Sequence, residues 1–144
     1  MWQDIFSLLD QTKSIKVWMN DNKLKLNDEK TELIILGTSR QLQKINFDSV
    51  QIGSSTVKKS CEARNLGIMF DENLSLKSHV NNLCKKNYLH LRNLANIRKY
   101  LDKATTETAV HAFISSILDY GNSLLYGVPN AQTKKLQLMQ NCAV

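Results

Sequence analysis

A chain of 144 residues that is 42% hydrophobic and 22% charged, with one proline and five glycines, has the composition of one globular domain, or two small lobes sharing a core. Disordered and low-complexity classes are excluded, and the longest aliphatic run, Leu33-Ile34-Ile35-Leu36, falls far short of the roughly 20 apolar residues of a membrane-spanning helix. The net charge of +6 is unevenly placed: residues 1–72 carry ten Lys/Arg against ten Asp/Glu, and residues 73–144 nine against three. A basic half beside a neutral one points to a polyanion partner, although a solubilising surface excess gives the same count.

In chain order, Ile5, Leu8, Leu9, Thr12, Ile15 and Met19 fall at helical spacing, with Asp4, Gln11, Lys13 and Lys16 largely off the stripe. This amphipathic helix should end near Asn20-Asp21-Asn22, whose side chains favour turns. After the polar run Asn27-Asp28-Glu29-Lys30, residues 32–36 read as a buried strand closed by Gly37. Short alternating stretches follow at Ile45 and Phe47, Val50 and Ile52, Thr56 and Val57, and Leu66, Ile68 and Phe70, with Gly53-Ser54-Ser55 as a turn. They predict a small antiparallel sheet ending at Asp71-Glu72-Asn73.

Beyond that boundary the pattern is helical. Ser75 is the expected N-cap of a long helix reaching about Tyr100, with Leu76, Val80, Leu83, Leu91 and Leu94 on its apolar face. Thr105 is the expected cap of the next helix, with Glu107 in its first turn and Val110, Phe113, Ile114, Ile117 and Leu118 in the clearest apolar periodicity of the chain. Gly121 reads as a stop signal, Pro129 as a breaker, and Asn130 as the cap of a last helix bearing Leu136, Met139 and Ala143. That helix lacks a stop signal, so a truncated C-terminus is expected. The fold class predicted is α+β, with a helix and small sheet over residues 1–72 and an all-helical half over residues 73–144.

The amino terminus has neither the basic start nor the apolar core of a secretory signal, so an intracellular protein of cytoplasm or nucleus is expected. Cys61, Cys84 and Cys142 are odd in number and scattered, as reduced thiols are, and the Asn73-Leu74-Ser75 glycosylation triplet then carries no meaning. Cys84 and His90 point about 120° apart on one helix, and His79 and His111 have no partner at zinc spacing. Ser115, Ser116 and Cys142 lack a nucleophile context.

Residues 18–32, Trp18-Met19-Asn20-Asp21-Asn22-Lys23-Leu24-Lys25-Leu26-Asn27-Asp28-Glu29-Lys30-Thr31-Glu32, resemble the stretch just downstream of the polymerase active site in non-LTR (LINE, jockey-like) retrotransposon reverse transcriptases. Asn65-Leu66-Gly67-Ile68-Met69-Phe70-Asp71 with Leu74 and His79, then Leu118-Asp119-Tyr120-Gly121-Asn122-Ser123-Leu124-Leu125, then Leu136-Gln137 and Gln140-Asn141, follow the same family's order and spacing. The resemblance implies that residues 1–72 correspond to the end of the palm, with motif D and the motif E primer grip, and residues 73–144 to a helical thumb. Gly121 departs from the family, which commonly has cysteine there.

The family polymerises DNA on RNA through clustered aspartates, including a Tyr-x-Asp-Asp hairpin, that hold two Mg²⁺ ions. This sequence contains no Tyr-x-Asp-Asp and no Asp-Asp; its adjacent acids, Asp28-Glu29 and Asp71-Glu72, lie in turn-like polar contexts. By the resemblance, the catalytic carboxylates are expected upstream of Met1. The chain alone is expected to need no cofactor and to be inactive, and to take as partners a template–primer duplex and the missing upstream palm and fingers, with no membrane and no small-molecule ligand.

Three groups of residues could serve that role. Lys30 matches the motif D lysine, a possible general acid toward departing pyrophosphate, and otherwise a solvent-facing lysine. Leu66 and Gly67 match the primer grip, where a residue without Cβ admits close backbone approach, and equally fit a tightly packed hairpin. Residues 73–101 hold six Lys/Arg and no acid. On a helix Lys77, Lys85, Arg92 and Lys99 fall within about 80° of one another, with Asn81 and Tyr88 between them. Such a stripe spans about 33 Å, enough to follow several phosphates, though solvated and membrane-surface helices share the pattern. The competing expectation is a non-catalytic helical interaction module, or a stranded fragment exposing apolar faces around Ile5, Ile35 and Val110.

Overall fold

In the computed structural model of the chain, residues 2–25, 27, 30–52 and 55–143 are described, with side chains from residue 11 onward. The architecture is α+β, an N-terminal helix and small sheets followed by a helical half. Helix α1 (Trp2–Asp21) ends as the turn-forming asparagines predict. Lys23 takes the left-handed conformation (φ 59°), its N–H donates to the Asn20 carbonyl (3.0 Å), and the Leu24 N–H reaches the Met19 carbonyl (2.8 Å). Those two bonds close the helix in a Schellman motif, with lysine where glycine is usual. Of the predicted stripe, Thr12 and Met19 are half-buried while Ile15 is 53% exposed; Ile5, Leu8 and Leu9 lie outside the described side chains. Lys16, read as off the stripe, donates to the Ile52 carbonyl (3.4 Å) and ties α1 to the sheet.

Five strands follow: β1 (Leu33–Ile34), β2 (Ser49–Ile52), β3 (Ser55–Ser60), β4 (Glu62–Asn65) and β5 (Ile68–Asp71). They form two sheets, ordered β1-β3-β2 and β4-β5, and so differ from the single antiparallel sheet expected. β1 runs parallel to β3, while β2 pairs antiparallel with β3 in a register that sets buried Val50 opposite buried Val57. The predicted strand over residues 32–36 is cut to two residues because the chain peels away from β3: the Gly37 N–H donates to the Glu72 carbonyl (2.9 Å) and Leu36 is half exposed. Residues 45–47 are not a strand. They follow a short helix, α2 (Ser39–Leu42), whose start is fixed by a capping box between Thr38 and Gln41, a signature the sequence carries as Thr38-Ser39-Arg40-Gln41. Of the turn-like polar run, Asp28 and Glu29 lie outside the described residues, as do Gly53 and Ser54 of the expected turn.

The helical half comprises α3 (Lys77–Ile97), a 3₁₀ turn (Arg98–Tyr100), α4 (Lys103–Val110), a π turn (His111–Ser115), α5 (Ser116–Asp119), a second 3₁₀ turn (Asn122–Leu125) and α6 (Asn130–Ala143). Ser75 is not the cap of α3. Asp71 accepts from the Ser75 N–H (2.9 Å), the Ser75 hydroxyl (3.1 Å) and the Asn73 N–H (3.2 Å), and this tight turn puts Leu76 at the cap position in a left-handed conformation with its side chain buried. Thr105 likewise gives way to Asp102, whose carboxylate accepts from the Thr105 N–H (2.8 Å). Asn130 is already helical, and the Pro129 carbonyl takes the first N–H bonds of α6, from Gln132 (2.8 Å) and Thr133 (3.4 Å). The apolar periodicity expected over Val110–Leu118 contains a π turn, in which Phe113 is half exposed and stacks on His90 of α3 (centroids 5.7 Å apart).

The helical core joins Ile68 of β5, Leu76, Val80 and Leu83 at α3, Ile114 of the π turn and Met139 of α6, all buried. Buried among the same elements are His79 and Asn87, polar residues on the predicted apolar face of α3, and Gln132 of α6. Among the described residues no helix is long and apolar enough to cross a membrane, and Cys61, Cys84 and Cys142 are free thiols.

The Asp71 turn makes the junction between sheet and helix pH-dependent. Partial burial raises its pKa, but hydrogen bonds from Ser75, Leu76 and Asn73 outweigh that and hold the carboxyl below its ordinary value. A carboxyl with a lower pKa folded than unfolded stabilises the fold above its unfolded value, about 3.9, and loses that contribution as pH falls through the folded value. Urea midpoints measured between pH 6 and pH 2.5 should therefore fall less for Asp71→Asn than for wild type; equal losses would remove Asp71 from the acid response.

Candidate nucleic-acid interface

The acid-free stretch folds largely as expected. α3 carries Lys77, Lys85 and Arg92 with Asn81 and Tyr88 on one exposed face, turned away from buried Val80, Leu83 and Asn87. Lys99 lies beyond the end of α3, in the following 3₁₀ turn, with its ammonium 4.8 Å from the centre of the Tyr100 ring. That cation–π contact leaves its charge at the end of the stripe.

Sequence reading missed a second source of charge. Lys135 of α6 donates from Nζ to the Asn81 side-chain oxygen (2.8 Å), which brings a cation from another helix into the middle of the stripe. α3 and α6 pack together, and neither contains an acidic residue. Burial pushes the Cys84 thiol up despite the opposing charge of Lys135, as befits a thiol that packs rather than reacts. Burial, and then the charge of Lys86, push the His79 pKa down.

Leu66 and Gly67 form the two-residue tip of the β4–β5 hairpin, between the paired residues Asn65 and Ile68. Both have positive φ, 48° and 86°, which makes a type I′ turn. The Leu66 side chain is 81% exposed. The Tyr120 hydroxyl donates to the Leu66 carbonyl (2.6 Å), and its ring lies beside Gly67, where a Cβ would stand 3.8 Å from Cε1. Tyr120 belongs to the Asp119-Tyr120-Gly121 string, and its role is invisible to residue spacing because its partner is 54 residues away.

Lys30 is exposed in the turn before β1, where its N–H donates to the Asn27 carbonyl (3.2 Å). Just beyond it, Glu32 accepts from the Arg64 N–H (2.9 Å), so the segment bearing Lys30 runs beside β4. The stripe is connected to the hairpin through β5, the Asp71 turn and a hydrogen bond from Ser78 of α3 to Glu62 of β4. Comparison with protein-family models, curated proteins and solved structures finds no match for the chain. Among the described residues no three His, Cys, Asp or Glu side chains converge as metal ligands would.

Gly121 has a structural reason to be glycine. It follows the C-terminus of α5 with φ 70°, and a Cβ there would lie 2.8 Å from Ile68 Cδ1. Glycine lets the end of α5 close directly onto β5. A shallow cleft is lined by Leu36, Gly37, Thr38, Ser39, Gln41, Asn73 and Leu74, none of them ionisable.

Proposed function

We propose that the chain grips a template–primer duplex of RNA and DNA, as the end of the palm and the thumb of a non-LTR retrotransposon reverse transcriptase would, and does not itself polymerise. The observation that carries this reading is the exposed stripe of Lys77, Lys85, Arg92 and Lys99, on a stretch without a single acid and joined by Lys135. Unpaired like charges repel one another and cost stability unless a polyanion neutralises them. Nucleic acid supplies phosphates in a row, and each cation that neutralises one releases condensed counterions. The exposed ring of Tyr88 offers a stacking or hydrogen-bonding surface between the cations. The resemblance of residues 18–32, 65–71 and 118–125 favours a template–primer over other polyanions, and makes Leu66-Gly67 the element that approaches the primer backbone.

Two-metal polymerisation needs clustered carboxylates that hold two cations about 3.5–4 Å apart, and the sequence contains neither a Tyr-x-Asp-Asp nor an Asp-Asp pair. Lys30 retains, in this reading, a position suited to protonating a phosphate leaving group supplied by a complete enzyme.

The test is equilibrium binding of an RNA–DNA hybrid duplex at increasing salt. Four phosphate contacts predict a plot of log affinity against log salt with a slope near −4. A salt-independent signal, or none at low salt, would remove the stripe as the contact. The same preparation should incorporate no nucleotide with Mg²⁺ or Mn²⁺, and reproducible primer extension would overturn that part.

A second reading, a docking module for another polypeptide, draws on α1, whose Ile15, Val17 and Trp18 are 53%, 60% and 60% exposed. Of the faces expected to be laid bare, Ile35 and Val110 are half-buried and Ile5 lies outside the described side chains. A soluble cooperative monomer without affinity for nucleic acid would favour this second reading.

A further inference from the structure

We propose that Tyr120 is a positioning residue that holds Leu66 ready for an uncharged contact with a sugar or base of the bound nucleic acid. The inference rests on the gripping function proposed above and adds to it a contact that is not electrostatic.

Leu66 is an unusual residue for its place. The first position of a type I′ turn favours Asn, Asp or Gly, and a branched aliphatic side chain is strained in the left-handed region. With φ 48° and 81% exposure, Leu66 combines that strain with almost no packing inside the chain. The fold gains nothing from leucine here, and strain combined with exposure is what a contact with something outside the molecule would explain.

The conformation is held from outside the hairpin. The Tyr120 hydroxyl hydrogen-bonds to the carbonyl of the strained residue itself, which fixes the peptide plane between Leu66 and Gly67. The Tyr120 ring lies beside Gly67, and the adjacent Gly121 packs on Ile68, so the end of α5 sets the tip at two points. Leu66 and Tyr120 are both uncharged, so the tip is unsuited to phosphate; the cations of α3 serve that purpose. What the tip offers is an apolar side chain beside a half-exposed aromatic ring, suited to a sugar face or base edge.

The experiment measures hybrid-duplex affinity, its salt slope and the melting temperature for the full chain and for Leu66→Asn, Tyr120→Phe and the double variant. Leu66→Asn should melt higher than wild type, because asparagine suits the turn, and yet bind roughly fivefold more weakly. Tyr120→Phe should weaken binding by a similar factor with an unchanged salt slope, since no phosphate contact is lost. The double variant should bind no more weakly than Leu66→Asn, because the two residues act through one contact. Wild-type affinity in Leu66→Asn, a lower melting temperature for it, or additive losses in the double variant would overturn the proposal while leaving the grip intact. Absence of duplex binding by wild type would overturn the grip and this inference together. Binding of an apolar protein surface, lost in the same variants while the duplex is held normally, would reassign the tip to a protein partner.

Discussion

Gly121→Ala is expected to lower stability by about 2 kcal/mol, a fall in melting temperature of roughly 5–10 °C for a chain of this size. Two costs combine. A residue with Cβ at φ 70° pays the left-handed penalty, and that Cβ would come within 2.8 Å of Ile68 Cδ1, in a side chain that is itself buried. Pairing the change with Ile68→Val, which removes Cδ1, separates the two. The contact cost should disappear and the backbone cost remain, giving a coupling energy between the sites. Simple additivity would show that α5 does not close on β5 as described. Gly121→Cys, which also adds a Cβ at this position, should destabilise in the same way.

Asn87→Leu should act in the opposite direction, stabilising by about 2 kcal/mol. Asn87 is fully buried on α3, and neither its amide nitrogen nor its amide oxygen has a hydrogen-bond partner in the protein. Burying an unpaired amide costs about 1–3 kcal/mol, and leucine has the same branching and heavy-atom count as asparagine and continues the apolar spacing of Leu83 and Leu91, the extra bulk of its methyls being the opposing cost. Chemical denaturation of wild type and variant gives the answer directly. A loss of stability would mean that the amide is engaged and that the α3–α6 seam, where Gln132 Oε1 and His79 Nε2 also have no partner in the protein, contains a polar network.

What could be read from the sequence divides along local and non-local lines. The α3 stripe and its apolar face follow from residue spacing within one helix, and Gly121 as a helix stop follows from its conformational freedom; they reappear in the structure except that Leu76 sits at the cap and Lys99 in the 3₁₀ turn after α3. Caps were less legible, since Asp71 and Ser75, or Asp102 and Thr105, compete for the same N–H groups and side-chain geometry decides between them. The parallel pairing of β1 with β3 could not be read from alternation, because period-two spacing is blind to strand direction. Nor could Asn87, whose position fits the apolar stripe while its chemistry hides it.

At the candidate interface the same division holds. Lys77, Lys85, Tyr88 and Arg92 share one helix and were found together. Tyr120 and Lys135 were not, because each meets its partner, Leu66 or Asn81, across 54 residues. The charge of the second half was visible in the count of residues, but not that two helices would pool it.

The measurement that tests the gripping account most directly is the salt dependence of hybrid-duplex binding in Lys85→Gln/Arg92→Gln, beside wild type and a Lys44→Gln control from the neutral half. Losing two of about four phosphate contacts should bring the slope from near −4 to near −2, with affinity reduced uniformly across duplex sequences and the control unchanged. A double variant that keeps the wild-type slope would contradict the account, because the charges of α3 would then not be what holds the nucleic acid.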